Sequence, residues 1–390
     1  MVDGSICTPE EQALFDSSHG TSIVCLTRGE SIGLTLVAES GFISLIAVLG
    51  VFVLIFRNAV RNGMLIRHPT DIYMLSLFSF DFMMSLAKSM YVKWIHDGKV
   101  YTGTFCTAQG IVQQAGDTGS ALATLAIAIH TFIVVFWGTR RHQYFFAYTI
   151  VGLTWLFIGL FIAITVSVHT NGSNFYESPV GYWCWIGNRF KTEQYVGQYI
   201  WVWATMFISF LTYTPLFFWA RGNITVSPTH WWKFRVHKDA IQTIDPDGRK
   251  RRSIGMIAYP IVFAVVALPL SVVRWTTGFG STPRHMPVAT FTVEFIYSLS
   301  GALNVLLILL TRSPLLLPRG TSRDRNRLGV APSVSLPKIT RGFSEVSRPD
   351  SSILEMGARD KPVPLESLPG EGNMGWRLPS SKRDSIESIY

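Results

Sequence analysis

Charge is scarce in this chain. Only 15% of its 390 residues are Asp, Glu, Lys or Arg, against roughly a quarter in an ordinary soluble domain. That scarcity argues against a purely soluble enzyme. Cysteine is scarce too. The four present, Cys7, Cys25, Cys106 and Cys184, form no Cys-x-x-Cys pair, so zinc-finger and thioredoxin chemistry find no support. The N-terminal stretch has neither a basic start nor an apolar core, and does not read as a cleavable signal peptide. Histidine is sparse inside the apolar runs, where only His130 lies deep. A membrane metallohydrolase would need several such ligands. No lysine occurs in 288–311, which removes a retinal Schiff base from the last run. No metal or cofactor is expected, and the chain is not expected to be an enzyme.

Apolar residues are abundant, at 48%, and they are gathered into long runs. A spanning helix needs about 20 mostly apolar residues. Seven segments qualify, at 33–56, 70–94, 105–137, 144–168, 195–220, 254–276 and 288–311. The third is long enough to project beyond the bilayer. Aromatics near segment ends, among them Trp94, Trp183 and Trp185, fit an interfacial belt. The expected class is an all-α membrane protein, a seven-transmembrane helix bundle with a disordered cytoplasmic tail. Residues 1–32 form its outer N-terminus, 33–311 the bundle and 312–390 the tail, which is rich in Ser, Pro, Gly and Arg.

The net charge of +9 does not indicate nucleic-acid binding, because the cations sit in short connections between apolar runs. One set of connections, with the start of the tail, holds fifteen Lys and Arg; the other, with the N-terminus, holds five. The basic side faces the cytoplasm, so the N-terminus lies outside. Asn171-Gly172-Ser173 then falls in an external loop and is a candidate glycosylation site. Asn223-Ile224-Thr225 falls in a cytoplasmic loop and should stay bare.

Cys106 opens segment three and Cys184 lies in the external loop before segment five. Both face an oxidising compartment, where they can pair; two free thiols are the alternative. Cys7 and Cys25 can pair likewise.

Ionisable groups inside a membrane are costly and usually face the bundle interior. Glu39, Lys88, Asp117, Arg274 and Glu294 lie in the outer half of five different segments, and are expected to converge on one outward-opening ligand cavity. Asp81 and Asn304 lie deeper and are candidates for an interhelical polar switch. Pro260 and Pro269 in segment six, with Pro215 in segment five, are candidate kinks. Arg140, Arg141, Arg249, Lys250, Arg251 and Arg252 mark the cytoplasmic ends as a contact surface for an acidic partner. Trp231-Trp232-Lys233-Phe234-Arg235 suits a lipid surface. Lys250-Arg251-Arg252-Ser253 and Lys382-Arg383-Asp384-Ser385 resemble basophilic kinase sites, and phosphorylation there would add negative charge.

Three stretches carry a family resemblance: Leu122-Ala123-Thr124-Leu125-Ala126-Ile127-Ala128-Ile129-His130-Thr131-Phe132, Tyr182-Trp183-Cys184-Trp185-Ile186 and Ser300-Gly301-Ala302-Leu303-Asn304. With seven segments and a Ser-rich tail, the chain resembles a G-protein-coupled receptor over about 33–311. The closer likeness is to the cAMP-receptor-like family of slime moulds and fungi. Segment three ends Phe136-Trp137-Gly138-Thr139-Arg140-Arg141 with no acidic-Arg-Tyr triplet, and segment seven has no Asn-Pro-x-x-Tyr, so the rhodopsin-like motifs are missing. The resemblance implies a cell-surface receptor for a small external ligand, coupled to a heterotrimeric G protein and quenched by kinases or desensitising proteins at the tail. Cyclic AMP is one candidate ligand, because Lys88 and Arg274 could meet a phosphate. Nutrients, lipids and pheromones are others. The alternative is a membrane transporter of a small polar solute. It is disfavoured by the lack of paired repeats but kept alive by the Gly- and Pro-interrupted segments.

Overall fold

The computed structural model describes residues 7–18, 20–63, 66, 68–137, 143–169, 175–221, 223–226, 234–236, 249–276 and 287–311. The chain begins with a short helix α1 (Pro9–Ser18) and strand β1 (Ile23–Cys25). Helix α2 (Arg28–Asn62) follows, started by a capping box. Glu30 N–H donates to Thr27 Oγ1 at 3.3 Å, and Thr27 N–H donates to Glu30 Oε2 at 2.7 Å, so two otherwise orphaned donors are satisfied. Gly63, at φ 67°, ends the helix and returns its N–H to Ala59 O. Helix α3 (Pro69–Ser89) opens on a proline, where the missing N–H costs nothing. Then come α4 (Tyr91–Asp97), β2 (Lys99–Tyr101), α5 (Thr104–Trp137) and α6 (Gln143–His169). The hairpin β3 (Glu177–Val180) and β4 (Trp183–Ile186) precedes α7 (Lys191–Gln194), a π-helical turn over Tyr195–Tyr199 and α8 (Ile200–Arg221). The chain continues through β5 (Ile224–Val226), β6 (Phe234–Val236), α9 (Arg249–Thr276), α10 (Pro287–Ser298) and α11 (Ser300–Thr311).

The seven spanning positions are α2, α3, α5, α6, α8, α9 and the α10–α11 pair. Five of them are long and apolar enough to cross a membrane on those grounds alone. Of the other two, α3 carries Asp71, Asp81 and Lys88, and the described side chains of α9 begin at Ile261. At about 1.5 Å per residue, α5 is roughly 50 Å long and outruns the bilayer core. It packs against α3, α6, α8, α9 and the β3–β4 hairpin.

The bundle is inverted relative to a soluble protein. Ile46, Phe56, Leu160, Val168, Phe210 and Leu310 are exposed on the flanks, while Asp81, Gln109, Gln113, Asp117 and Glu294 are buried. α6 buries only Ala147, Ile158 and Thr165 along its length. That distribution fits a hydrocarbon solvent outside and a polar interior. Close approach of the helices rests on small residues. A Cβ on Gly116 of α5 would lie 2.5 Å from the Met84 backbone nitrogen of α3.

One end of the bundle is closed by a cap. Cys106 at the head of α5 is bonded to Cys184 in β4, and Cys7 to Cys25. β1 pairs antiparallel with β2, placing Val24 opposite Val100, and Glu11 of α1 forms an ion pair with Lys99. Trp94, Trp183 and Trp185 are 0–2% exposed, so these three are core of the cap and not a lipid-facing belt. The reason is local. Trp94 Nε1 donates to Gln109 Oε1 at 2.7 Å, and Trp183 stacks on Tyr91 with ring centroids 5.7 Å apart.

At the other end, part of the loop expected as a surface segment is an antiparallel ribbon, β5 on β6, with Thr225 opposite Arg235. α8 runs on through Pro215 and α9 through Pro260 and Pro269. Segment seven, expected as one helix, is two, separated at Leu299. Asn171, Arg140, Arg141, Lys382, Ser385 and the rest of the tail from 312 lie outside the described residues. Arg249, Lys250, Arg251 and Arg252 are described only as the backbone that starts α9.

Candidate functional site

Below the cap, side chains from α5, β4, the π-helical turn, α8, α9 and α10 surround a cavity. Its walls are Gln113, Asp117, Trp185, Gln198, Tyr199, Val202, Ala267, Leu270, Ser271, Arg274, Glu294 and Tyr297. The space left free is about 20 Å³, enough for a water molecule.

Four of the five charges expected to converge are brought together here. Lys88 of α3 forms an ion pair with Glu294 of α10, each 1% exposed. Lys88 Nζ also donates to Tyr91 OH at 3.2 Å, and that hydroxyl donates to Gln113 Oε1 at 3.1 Å. The ammonium lies 5.7 Å from the Trp183 ring centre and 5.9 Å from that of Tyr297, within cation–π range. Arg274 of α9 sits over Trp183 and Trp185, its guanidinium carbon 5.1 and 5.5 Å from their centres. Asp117 of α5 accepts from Gln198 Nε2 at 3.3 Å. Glu39 is not with them: it lies on the exposed face of α2. The inward face of that helix runs through Ser40, Ser44, Val48 and Val51.

The cation sites are crowded, whereas several acceptors are not met. Asp117 Oδ1, Gln198 Oε1 and Glu294 Oε2 are buried with no hydrogen-bond partner among the described residues. An unmet buried acceptor costs about 1–3 kcal/mol, more where it carries charge. A visitor that donates hydrogen bonds would relieve that cost; one that only accepts would not.

Deeper in the bundle, Asp81 joins three helices. Ser120 Oγ of α5 donates to Asp81 Oδ1 at 2.9 Å, and Asn304 Nδ2 of α11 donates to Asp81 Oδ2 at 2.9 Å. Asp81 is fully buried, so these two bonds are what its carboxylate has in place of water. At the level of the cavity, Thr118 Oγ1 donates to Gly197 O at 2.7 Å. The π-helical turn presents that carbonyl to α5.

Sequence reasoning passed over Gln113, Gln198, Tyr199 and Tyr297. An amide inside an apolar run carries the same signal as a charge, at lower cost, and could have been read that way. The tyrosines could not, since an aromatic in a spanning segment is ordinarily packing.

Residues 45–306 match the family model described as 7 transmembrane receptor (rhodopsin family). No curated protein matches the chain. The match overturns the likeness to cAMP-receptor-like proteins and, with it, the slime-mould and fungal reading. That likeness rested on three short stretches, 122–132, 182–186 and 300–304. The match runs from the middle of α2 into α11, so the missing acidic-Arg-Tyr and Asn-Pro-x-x-Tyr sequences do not place the chain outside the family. A receptor family also displaces the transporter alternative and agrees with the expectation that the chain is not an enzyme. With two thirds of its length matched in one continuous stretch, the chain belongs to the rhodopsin family of seven-transmembrane receptors, multi-pass membrane proteins that signal through G proteins.

Proposed function

We propose that the chain is a plasma-membrane receptor, N-terminus outside, whose central cavity binds a small polar ligand carrying a protonated amine. The three unmet acceptors around that cavity carry the reading. Arg274 lines the same cavity, over the two cap tryptophans, and would receive an anionic group on the same ligand. A zwitterion of amino-acid type satisfies both ends. The cavity is nearly filled, so binding has to part the cap from the helices, and that displacement is the differential the ligand brings to the helix arrangement. The disulfides at the cap end support its facing an oxidising compartment.

At the opposite end, Arg140, Arg141 and the Arg249, Lys250, Arg251 and Arg252 run would meet the heterotrimeric G protein. Asp81, Asn304, Pro260 and Pro269 would form the moving connection. Asn171 would carry a glycan. Residues 1–32 would lie outside and 312–390 inside, where kinases or desensitising proteins would act on tail serines. Lipid would cover the apolar flanks.

The test is a panel of amino acids, amines, nucleotides and lipids, applied to cells that report G-protein dissociation. An amine-bearing polar ligand should respond, and Asp117→Asn or Arg274→Ala should raise its half-maximal concentration at least about tenfold at unchanged surface display. A response confined to compounds without a protonated amine would overturn the reading.

A further inference from the structure

A larger space lies outside the central cavity. It is a cleft of about 410 Å³ at the side of the cap, walled by the start of α5, the C-terminal end of α6 and the start of β3. That volume is in the range that holds small molecules, whereas the central cavity holds a water. Thr107, Ala108, Ile111, Val166 and Tyr176 make most of its wall apolar. Glu177 also lines it.

Glu177 has no structural reason to be a carboxylic acid. Its backbone forms the β3–β4 pair opposite Ile186, which any residue could do. Its side chain is 1% exposed, and neither carboxyl oxygen has a hydrogen-bond partner among the described residues. An apolar side chain of that length would fill the position without the cost of burying an unmet polar group. Room has been made for it nonetheless. A Cβ on Gly110 of α5 would collide with Glu177 Oε2, so α5 leaves out a side chain where the carboxyl lies. Burial pushes the carboxyl up to about 8, and a cation beside it would favour the ionised form. The nearby titratable groups, His169 and Tyr176, stack on one another with ring centres 5.3 Å apart.

We propose that this cleft is a second ligand site, distinct from the central cavity, which takes a hydrophobic amine with its ammonium on Glu177 and its apolar body against Ile111, Val166 and Tyr176. The inference goes beyond the ligand of the central cavity, and either can fail without the other. The amine supplies the donor and the positive charge that Glu177 lacks, and its body fills an apolar space. Because the cleft opens between the start of α5 and the end of α6, such a compound can come from water or from the outer leaflet.

The full-length receptor in lipid nanodiscs tests this with 2-phenylethylamine and its neutral analogue 2-phenylethanol, titrated at mildly alkaline pH. The amine should bind at least about tenfold tighter than the alcohol, as charge-assisted hydrogen bonding would give. That preference should fall in Glu177→Gln and in the cleft-filling variant Ala108→Leu. Equal binding of amine and alcohol would overturn the proposal and leave an apolar lipid-chain groove. So would no binding of either. A preference kept in Glu177→Gln but lost in Asp117→Asn would move the amine to the central cavity and also sink the second site. Should Glu177→Gln not fold, the wild-type preference together with Ala108→Leu decides the matter. Repeating the titration with the amine preloaded in the lipid tells membrane delivery from aqueous delivery.

Discussion

Lys88 and Glu294 answer one another across α3 and α10 with almost no water at either. Removing one partner leaves the other as a buried, uncompensated charge, which typically costs about 3–5 kcal/mol. Lys88→Met should therefore lower stability by about that much in thermal or denaturant unfolding of the purified receptor. The double variant Lys88→Met/Glu294→Leu should regain most of it. A double variant no more stable than the single one would mean that the pair is not each other's main support. Glu177 gives a second prediction at this scale. Its carboxyl holds a proton more tightly in the folded protein, pushed up to about 8 by burial, than it would in an unfolded chain. Folding stability should thus fall as pH rises from the ordinary carboxyl range to about 8, and level off above. Melting curves across that window should show the decline, and Glu177→Gln should flatten it. Glu39 marks what could not be read at this scale. Hydropathy locates a charge in a spanning run but not the side it faces. The clue was the pattern of small residues around it. Gly41, two positions on and roughly 200° round the helix, is the one pressed against Lys88: a Cβ added there would lie 2.6 Å from the Lys88 Cβ.

Helix seven shows the limit of reading elements from sequence. The run 288–311 reads as one continuous helix, and no proline interrupts it. The break at Leu299 is held by α2. Ser44 Oγ donates to Ser298 O at 2.6 Å and accepts from Ala302 N–H at 3.3 Å. One hydroxyl thus serves an acceptor above the break and a donor below it. The cause lies some 250 residues away, out of reach of any local pattern. Ser44→Ala should cost about 1–3 kcal/mol, the penalty for leaving buried backbone groups unmet, measurable as a lower melting temperature. Ser44→Thr, which keeps the hydroxyl, should lose less. Gly116 makes the complementary case, because glycine in a spanning run is a visible sign of close helix contact. Gly116→Leu should force α3 from α5 and abolish folded receptor at the cell surface, as read by surface epitope staining.

At the scale of the whole chain, most of the architecture was legible. Seven apolar runs are a direct consequence of bilayer thickness, and the four cysteines, once assigned to one side, leave few pairings. The family was not legible from short motifs, since a triplet at one helix end is a small part of a pattern carried over 45–306. Coupling is the prediction that belongs here. Arg251→Ala with Arg252→Ala should weaken G-protein activation severalfold at unchanged surface display. Signalling equal to wild type in a G-protein dissociation assay would take the head of α9 out of the contact.

The π-helical turn at Tyr195–Tyr199 works as a thread with one residue wound in to excess. In that winding the Gly197 carbonyl accepts from Thr118 Oγ1. If the latch slips and the turn relaxes to ordinary α pitch, every residue of α8 below it must rotate by about 100°. Phe207 and Phe210, now turned outward, would sweep round together. A single hydroxyl on α5 would then be the pawl on a screw running the length of α8.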